Sequence, residues 1–406
     1  MNGALCGIRV LDVSRVLAGP WAGQLLADYG ADVIKVERPG CGDDTRSWGP
    51  PWLLDAEGNE TDQSAYFLAA NRNKRSLTLN LARDEGQQIL RELAAESDIL
   101  IENFKVGAMR RFGLDADTLR QQNPGLIYCS ISAFGQTGSR SAEPGYDAMI
   151  QGAAGLMSLT GPADDEDGGP QKVGVAVADL MAGMYAVTAI LAALTARQSG
   201  GSGQVIDLSL YDSQVAWLAN QNMNYLVTGE APLRRGTAHP NIVPYQAFAT
   251  KDGHLMLAVG NDRQFGSCMQ CLQCPDLAQE PRFASNAERV RNRAILVPLL
   301  SEALRRRSTS HWLQAFASHG VPAGPINDLS QVFGEAFAGE RELVHELSHP
   351  LSGSVATVAN PVRFSATPVT YDRAPPLLGQ HTDEVLSQVL SYSAAKIQAL
   401  RDTGVL

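Results

Sequence analysis

The chain has 406 residues, more than one ordinary hydrophobic core requires, so two domains are expected. Hydrophobic residues make up 44% and charged residues 19%, the balance of a globular protein that folds along its length. The formal net charge of -10 and the absence of a stripe of Lys and Arg disfavour a nucleic-acid partner. The first residues lack the apolar run of a signal peptide, so a cytoplasmic location is expected.

Strand and helix patterns alternate through the first half of the chain. The predicted strands are Gly7–Ser14, Ala31–Arg38, Ser76–Leu81, Asp98–Phe104 and Leu126–Phe134, and the predicted helices between them are Pro20–Tyr29 and Gly86–Glu96. Such alternation is typical of a parallel sheet with helices on both faces. We therefore predict an α/β fold, with a doubly wound, Rossmann-like large domain over residues 1–200.

The organisation changes after a Gly- and Ser-rich break near residue 200. Residues 201–229 predict a linker, with a strand at Gln204–Leu210 and one long helix to about Val227. Residues 230–325 predict a smaller α+β domain, with a strand pair around Lys251–Gly253 and a helix at Arg289–Arg307. Residues 326–350 form the expected return linker, and residues 351–406 are expected to complete the large domain.

The most apolar stretch, Val173–Leu194, contains one acidic residue, Asp179. A membrane span would have to bury that charge, so the stretch is interpreted as core and no membrane partner is expected. Asp179 follows an extended Val-rich run and precedes a helix, where a carboxylate can cap backbone N–H groups. A desolvated carboxylate is equally a nucleophile towards a thioester, and small neighbours such as Ala178 and Gly183 would leave room for a substrate. The spacing alone leaves both roles open.

Two motifs suggest metals. His345–His349 spells HExxH, the helical zinc motif, but Pro350 disfavours helical geometry at the second His, and a solvated helix end is expected. Cys268, Cys271 and Cys274 form part of an iron–sulfur run without a fourth ligand, and we interpret them as core or surface thiols. No metal is therefore expected.

The turn Val16–Pro20 leads into a helix N-terminus, which is either an ordinary strand–helix turn or a site that offers N–H groups to a phosphate or an oxyanion. No P-loop or GxSxG motif occurs, which disfavours ATP-driven and triad chemistry. Basic residues cluster near strand ends, where they either form a solvated surface or bind a ligand as α/β sheets do, and in the second case Phe104 offers a flat face to a purine. These basic residues are Arg38, Arg72, Lys74, Arg75, Lys105, Arg110 and Arg111.

Over essentially its whole length the sequence resembles the class III CoA-transferases, which include formyl-CoA transferase and carnitine CoA-transferase. The matching strings are VLAGP (16–20), ADVIKVER (31–38), GCGDDTR (40–46), NRNKRS (71–76), IENF (101–104), GYD (145–147), Asp179 with Gly183, GPIN (324–327) and LLGQHT (377–382). The resemblance implies that Asp179 is the catalytic aspartate, which forms anhydride and aspartyl-CoA thioester intermediates.

The resemblance also implies an interlocked homodimer, acyl-CoA and free carboxylic acids as substrates, and no cofactor beyond CoA. Backbone groups near Leu17 and Ala18, and the loop containing Gly236, Thr237 and His239, are the expected oxyanion and active-site elements. The expected CoA-binding residues are Val16, Arg38, Arg72, Asn103, Phe104, Arg111, Tyr146 and Asp147. Leu17 stands where formyl-CoA transferase has a glutamine, so formate and oxalate are not the expected acids.

Further strings resemble the succinyl-CoA:glutarate CoA-transferase branch of the family. They are GDDT (42–45), WGPP (48–51), GTAH (236–239) and IVPYQAF (242–248). Succinyl-CoA is therefore the expected donor and glutarate the expected acceptor, with Arg234 and Arg235 as candidates for its distal carboxylate. The alternatives are another carboxylate acceptor, a racemase-like enzyme that moves a proton of an α-methylacyl-CoA, and a non-catalytic CoA-binding protein.

Overall fold

The computed structural model describes residues 3–406, which form two compact units. The first comprises residues up to Leu156, Val173–Thr228 and Gly339–Leu406; the second comprises Met157–Lys172 and Gly229–Ala338. This division differs from the predicted boundaries, because residues 157–172 belong with the second unit and the predicted return linker contains two helices and a strand. Met1 and Asn2, where the predicted large domain begins, lie outside the described residues.

The secondary structure comprises strands and helices in the following chain order. The strands are β1 Arg9–Asp12, β2 Asp32–Glu37, β3 Trp52–Leu54, β4 Glu60–Ser64, β5 Lys74–Thr78, β6 Ile99–Glu102, β7 Ile127–Ser132, β8 Val205–Ser209, β9 Tyr245–Ala249, β10 His254–Ala258, β11 Ala323–Pro325, β12 Val344–His349 and β13 Gly353–Val358. The helices are α1 Ala18–Asp28, α2 Ala65–Leu68, α3 Asp84–Ala95, α4 Ala108–Arg111, α5 Ala116–Gln122, α6 Asp147–Ala153, α7 Val177–Gln198, α8 Leu210–Trp217, α9 Asn220–Thr228, α10 Asp262–Cys271, α11 Asp276–Gln279, α12 Asn286–Arg291, α13 Arg293–Leu304, α14 Thr309–Ser318, α15 Leu329–Gly334, α16 Ala336–Glu340, α17 Thr382–Leu390 and α18 Ala394–Asp402.

The first unit is built on a six-stranded sheet in the order β5-β2-β1-β6-β7-β8, with every neighbouring pair parallel. If the six strands are renumbered by their position in the chain, their order across the sheet is 3-2-1-4-5-6. The direction in which successive strands are added to the sheet therefore reverses between β1 and β6. The predicted α/β class and parallel sheet are confirmed. Ligands of such sheets bind beyond the carboxyl ends of the strands at this reversal.

Alternate residues of each central strand face opposite sides of the sheet, so both faces carry apolar side chains. Val10 and Ile99 belong to a core with α1 and α7, whereas Leu11 and Leu100 belong to a second core with α3, α17 and α18. The sheet is therefore covered on both sides. The helix α7 is long and apolar enough to cross a membrane by length and composition, yet half of its most apolar window is buried in the structure.

Three local predictions are wrong. The predicted long helix after β8 is two helices, because Ala219 breaks it with a φ of 45°. The predicted helix Arg289–Arg307 is likewise divided into α12 and α13 at Asn292. The HExxH segment is the strand β12, paired antiparallel with β13, and not a helix end.

The second unit contains a three-stranded sheet in the order β11-β10-β9. The turn Lys251–Gly253 joins β9 and β10 into an antiparallel pair, as predicted. Helices α10, α13 and α14 contribute to the core beside this sheet. Cys268 is fully buried in that core, and Cys271 and Cys274 pack against it, which matches their interpretation as core thiols.

Candidate active site

A cavity of about 230 Å³ opens at the carboxyl edge of the parallel sheet, and Asp179 lines it. We call it the Asp179 cavity. Six other residues predicted for the site line the same cavity: Val16, Leu17, Ala18, Asn103, Phe104 and Tyr146. They come from the turn after β1, the loop after β6 and the residue before α6. The chain thus brings together segments that are more than 150 residues apart in sequence.

Asp179 lies in the first turn of α7 and is only 9% exposed. Its side chain does not cap the helix, which begins after Ala176 without a side-chain cap at that residue. The capping carboxylate is Asp147, whose Oδ1 accepts hydrogen bonds from the N–H groups of Ala178 at 2.8 Å and Asp179 at 3.4 Å. The capping interpretation of Asp179 is therefore wrong, and its carboxylate is left to face the cavity.

Burial, and then the negative charge of Asp147, together raise the pKa of Asp179 from its ordinary value of 3.8 to about 7. Desolvation disfavours the charged form, and a second nearby carboxylate adds to that effect. A strongly perturbed carboxyl in a cavity is a typical feature of an active site. Ionised Asp179 is poorly solvated and therefore a reactive oxygen nucleophile.

Gly183, one turn further along α7, serves close helix packing and does not leave room for a substrate as predicted. A Cβ at this position would lie 2.8 Å from the Ala18 carbonyl oxygen and 3.1 Å from the Trp21 ring. Ala178 is likewise fully buried in the core between helix and sheet. The absence of a side chain at Gly183 lets α7 approach the N-terminus of α1 closely, which fixes the start of α1 beside the turn that carries Asp179.

The start of α1 supplies candidate donors for an oxyanion. The helix begins at Ala18, and the first N–H groups of a helix have no intrahelical partner. The preceding residue, Leu17, is its N-cap, and Val16 takes a left-handed conformation with a φ of 71°. Val16, Leu17 and Ala18 line the Asp179 cavity, and the helix dipole favours negative charge at this end of α1.

A second cavity of about 430 Å³, the Arg38 cavity, lies on the β1 and β2 side of the same edge. Phe104, Arg15 and Asp44 line both cavities, so the two are neighbours. The exposed Arg38 borders the second cavity together with Lys35.

Three predicted CoA contacts lie elsewhere. Arg72 is 4% exposed, and its guanidinium donates to Asp28 at 2.6 Å, Thr357 at 3.1 Å and the Val358 carbonyl at 3.0 Å. Arg111 is exposed on α4 and lines neither cavity. The Asp147 carboxylate accepts hydrogen bonds from backbone N–H groups in the first turn of α7. Their contacts with CoA stay predictions, whereas the protein contacts of Arg72 and Asp147 are established by the structure.

The predicted active-site loop belongs to the second unit. Gly236 has a φ of 58°, which favours glycine, and the Thr237 hydroxyl accepts a hydrogen bond from the Ala247 N–H at 3.0 Å. His239 packs beside Tyr245, with 5.2 Å between ring centroids. Burial, and then Arg293, lowers the pKa of His239, so its ring is neutral near pH 7.

Arg234 and Arg235, the two candidates for binding the distal carboxylate of the acceptor, differ in their protein partners. Arg234 forms an ion pair with Asp164, which also accepts its backbone N–H at 2.9 Å, and its Nε donates to the Pro162 carbonyl at 3.2 Å. Burial, and then the positive charge of Arg235, lowers the pKa of Arg293. Arg234 is therefore a structural partner of the segment around Asp164, and Arg235 is the stronger candidate for a ligand.

The HExxH segment cannot hold zinc in the helical manner. His345 and His349 are four residues apart on a strand, which places them about 13 Å apart, whereas both would need to lie near 2 Å from one metal. His345 stacks on Tyr371 at 4.0 Å. Within residues 3–406, no group of three potential metal-ligating side chains is found.

Sequence reasoning missed several residues beside Asp179. Burial raises the pKa of Tyr66, and the charges of Asp179, Asp147 and Asp43 raise it further, which places this tyrosine near all three carboxylates. The Tyr66 ring also contacts Trp48 edge to face, with 5.1 Å between centroids. No motif marks Tyr66. Asp43 lies in the string GCGDDTR, so that string could have identified it.

The chain is similar to known proteins in sequence and in fold. A sequence profile described as CoA-transferase family III matches residues 5–382. The succinate–glutarate CoA-transferase of Agrobacterium fabrum is 46% identical over 385 residues, or 95% of each chain. The succinyl-CoA:glutarate CoA-transferase of Homo sapiens is 44% identical over 400 residues, which cover 98% of this chain and 89% of the human protein. The crystal structure of a CAIB/BAIF family protein from Brucella suis matches with a TM-score of 0.83 and 46% identity, covering 96% of this chain and 100% of that chain.

Proposed function

The chain belongs to CoA-transferase family III and is an enzyme that transfers CoA, and from this premise we propose that it moves CoA from succinyl-CoA to glutarate, with Asp179 as the nucleophile. The observation that carries the proposal is the position of Asp179. Its carboxylate is desolvated in a cavity beside the N-terminus of α1, where a negative charge on a reacting carbonyl would be stabilised. The substrate pair rests on the names of the relatives from Agrobacterium fabrum and Homo sapiens.

The first half of the reaction transfers CoA to the enzyme. The Asp179 carboxylate attacks the thioester carbonyl carbon of succinyl-CoA, the carbon–sulfur bond breaks, and CoA leaves as a thiolate. The product is a mixed anhydride of Asp179 and succinate. The thiolate then attacks the Asp179 carbonyl carbon, which releases succinate and leaves an aspartyl-CoA thioester.

The second half repeats these steps with the acceptor. A glutarate carboxylate attacks the aspartyl thioester carbon and displaces the thiolate, which forms a second anhydride. The thiolate attacks the glutaryl carbonyl carbon, so glutaryl-CoA leaves and the Asp179 carboxylate is restored. One thioester bond replaces another, so the cycle balances without ATP. Each tetrahedral intermediate carries an oxyanion, for which the Leu17 and Ala18 N–H groups and the loop of Gly236, Thr237 and His239 are the proposed donors.

CoA is proposed to lie along the carboxyl edge of a doubly wound, Rossmann-like sheet. Its thioester end would reach the Asp179 cavity and its nucleotide the Arg38 cavity, with Phe104 between them. Arg38 and Lys105 supply positive charge for the phosphates. No cofactor other than this substrate is proposed.

The protein is further proposed to act as a soluble, cytoplasmic homodimer whose subunits interlock. An exposed apolar surface supports the dimer: α9 has no buried residue, and Met223, Leu226 and Val227 on it are 55%, 69% and 77% exposed. Large apolar side chains grouped in this way usually mark a protein interface.

The nucleophile is tested with Asp179→Ala and Asp179→Asn. Both variants should lose transfer from succinyl-CoA to glutarate while CoA still binds, since an amide cannot form the anhydride. Hydroxylamine added during turnover should modify Asp179 in the wild type. A loss smaller than about tenfold, or about 1.4 kcal/mol of barrier, would rule out Asp179 as nucleophile.

A further inference from the structure

Val16 is a β-branched residue in the left-handed region of backbone conformation, with a φ of 71°. This conformation is rare for such residues because the branched side chain crowds the backbone. It persists only where the surrounding structure holds it, and such positions concentrate at functional sites. Val16 immediately precedes the N-cap and first residue of α1, Leu17 and Ala18, both of which line the Asp179 cavity.

Asp43 holds Val16 in this conformation. Its two carboxylate oxygens lie 3.2 and 3.3 Å from the Val16 nitrogen and accept that N–H. Asp43 is 2% exposed and forms an ion pair of 2.8 Å with the fully buried Lys35. Lys35 also donates to the Ser14 carbonyl at 3.1 Å. The buried ion pair of Asp43 and Lys35 thus contacts the turn at two points, the Val16 N–H and the Ser14 carbonyl.

Other side chains fix the rest of the same segment. The Asn103 amide accepts the Arg15 N–H at 2.8 Å and donates to the Arg15 carbonyl at 2.7 Å. Lys74 donates to the Pro20 carbonyl at 2.8 Å, inside the first turn of α1. With both ends fixed, the direction of the peptide after Val16 depends on the Val16 conformation itself, and therefore on its contact with Asp43.

We propose that Asp43 is a positioning residue for acyl transfer: supported by Lys35, it holds Val16 left-handed and so aims the Leu17 and Ala18 N–H groups at the reacting carbonyl. This inference rests on the proposed chemistry at Asp179. Its effect belongs to the chemical step, because preorganised N–H groups stabilise the charge that develops in the transition state.

The test separates the hydrogen bond from the buried charge. Removing Asp43 alone would leave Lys35 buried and unpaired, which can unfold a protein for reasons unrelated to the turn. Both comparison variants therefore contain Lys35→Met. In this background Asp43→Asn keeps an oxygen that can accept the Val16 N–H, whereas Asp43→Leu has nearly the same size and no acceptor.

The Asp43→Leu double variant should have a kcat at least tenfold below that of the Asp43→Asn double variant, with the Kd for CoA within about threefold. Val16→Gly, added to both, should reduce the difference in kcat to less than threefold, because glycine takes this φ without strain. If the Asp43→Leu double variant is unfolded by circular dichroism, Asp43→Glu takes its place. It keeps the charge that pairs with Lys35 but shifts the oxygens, and the same tenfold loss relative to wild type is expected.

Equal kcat values for the two double variants, or an equal difference with and without Val16→Gly, would overturn the role of Asp43. A change confined to the Kd for CoA would do the same, since Asp43 also borders the Arg38 cavity. The wild type is measured in parallel. Failure of the wild type to transfer CoA would count against the proposed function, and failure of the variants to differ would count against the positioning role alone.

Discussion

Asp147 accepts a hydrogen bond from the backbone N–H of Asp179, so one carboxylate holds the helix turn that presents the other. The Asp147 carboxylate also accepts from Gln151 at 2.6 Å, which fixes its orientation. This arrangement places a negative charge near Asp179 and raises its pKa beyond the effect of burial. Asp147 therefore both caps α7 and raises the pKa of the candidate nucleophile, Asp179.

The pH profile of transfer should report the pKa of Asp179. The mechanism needs the ionised carboxylate, and its pKa lies at about 7. The rate should therefore rise about tenfold per pH unit below pH 7 and level off above it. Initial rates with succinyl-CoA and glutarate between pH 5 and 9 measure this, and a profile that is flat down to pH 5 would contradict the assignment.

Asp147→Asn should move that profile to lower pH. The amide oxygen can still cap α7, but the negative charge that raises the pKa of Asp179 is gone. Asp147→Ala removes the cap as well and should also destabilise the protein by about 1 kcal/mol. Asp115→Asn alters the residue that caps α5 and serves as the matched control. It should leave the profile unchanged, and an unshifted profile in Asp147→Asn would contradict the coupling.

Asp179→Asn should stabilise the fold at alkaline pH. In the folded chain the Asp179 pKa is raised from 3.8 to about 7, so between these values the folded state binds a proton that the unfolded state lacks. The contribution of Asp179 to the free energy of unfolding is most favourable below about pH 4 and falls as the pH rises to about 7. Above about pH 7 the ionised carboxylate lowers the free energy of unfolding by a constant amount. The Tm gain of the variant should thus be largest at pH 8 and shrink towards pH 4. A pH-independent gain would contradict this linkage.

Periodicity was sufficient to predict the parallel sheet. The strands β1, β2, β6 and β7 carry apolar residues on both faces and alternate with amphipathic helices, and that pattern has few other solutions. The break at Ala219 was not predictable in this way, because a left-handed alanine leaves no compositional signal. The residues of HExxH at 345–349 were misassigned to a helix end, since tertiary pairing with β13 decides their conformation.

The site was predictable only in part. The sequence identified Asp179 through its charge in an apolar stretch and the family resemblance, and it left capping and catalysis open. Only the fold shows that Asp147, 32 residues earlier, makes the cap. The family resemblance implies that Arg72 contacts CoA, and its protein partners Asp28 and Thr357 come from segments that sequence reasoning could not place beside it.

The HExxH segment gives a prediction about metals. Because His345 and His349 lie about 13 Å apart on β12, we expect neither added zinc nor a chelator to change the rate of transfer. Metal analysis of the purified protein should find less than stoichiometric zinc. Stoichiometric zinc that is lost together with activity would contradict this reading of the strand.

The acceptor prediction depends on the distal carboxylate of glutarate. With succinyl-CoA as donor, glutarate should be used better than oxalate, formate or carnitine, because a five-carbon diacid can react at one end and meet a cation at the other. Arg235 is the favoured cation, since Arg234 is paired with Asp164 and the lowered pKa of His239 leaves its ring neutral. A charge-assisted contact contributes about 1.5–3 kcal/mol, so Arg235→Ala should lower kcat/KM for glutarate about 10- to 100-fold.

Butyrate, which lacks the distal carboxylate, is the matched acceptor, and its use should change far less in Arg235→Ala. Arg234→Ala should instead lower the Tm, because it breaks the ion pair with Asp164, while the ratio of glutarate to butyrate use stays near that of the wild type. His239→Ala should likewise preserve the ratio. If Arg235→Ala affects both acids equally, the distal carboxylate is bound elsewhere. If oxalate is the best acceptor of the wild type, the glutarate assignment is wrong, although the chemistry at Asp179 could still hold.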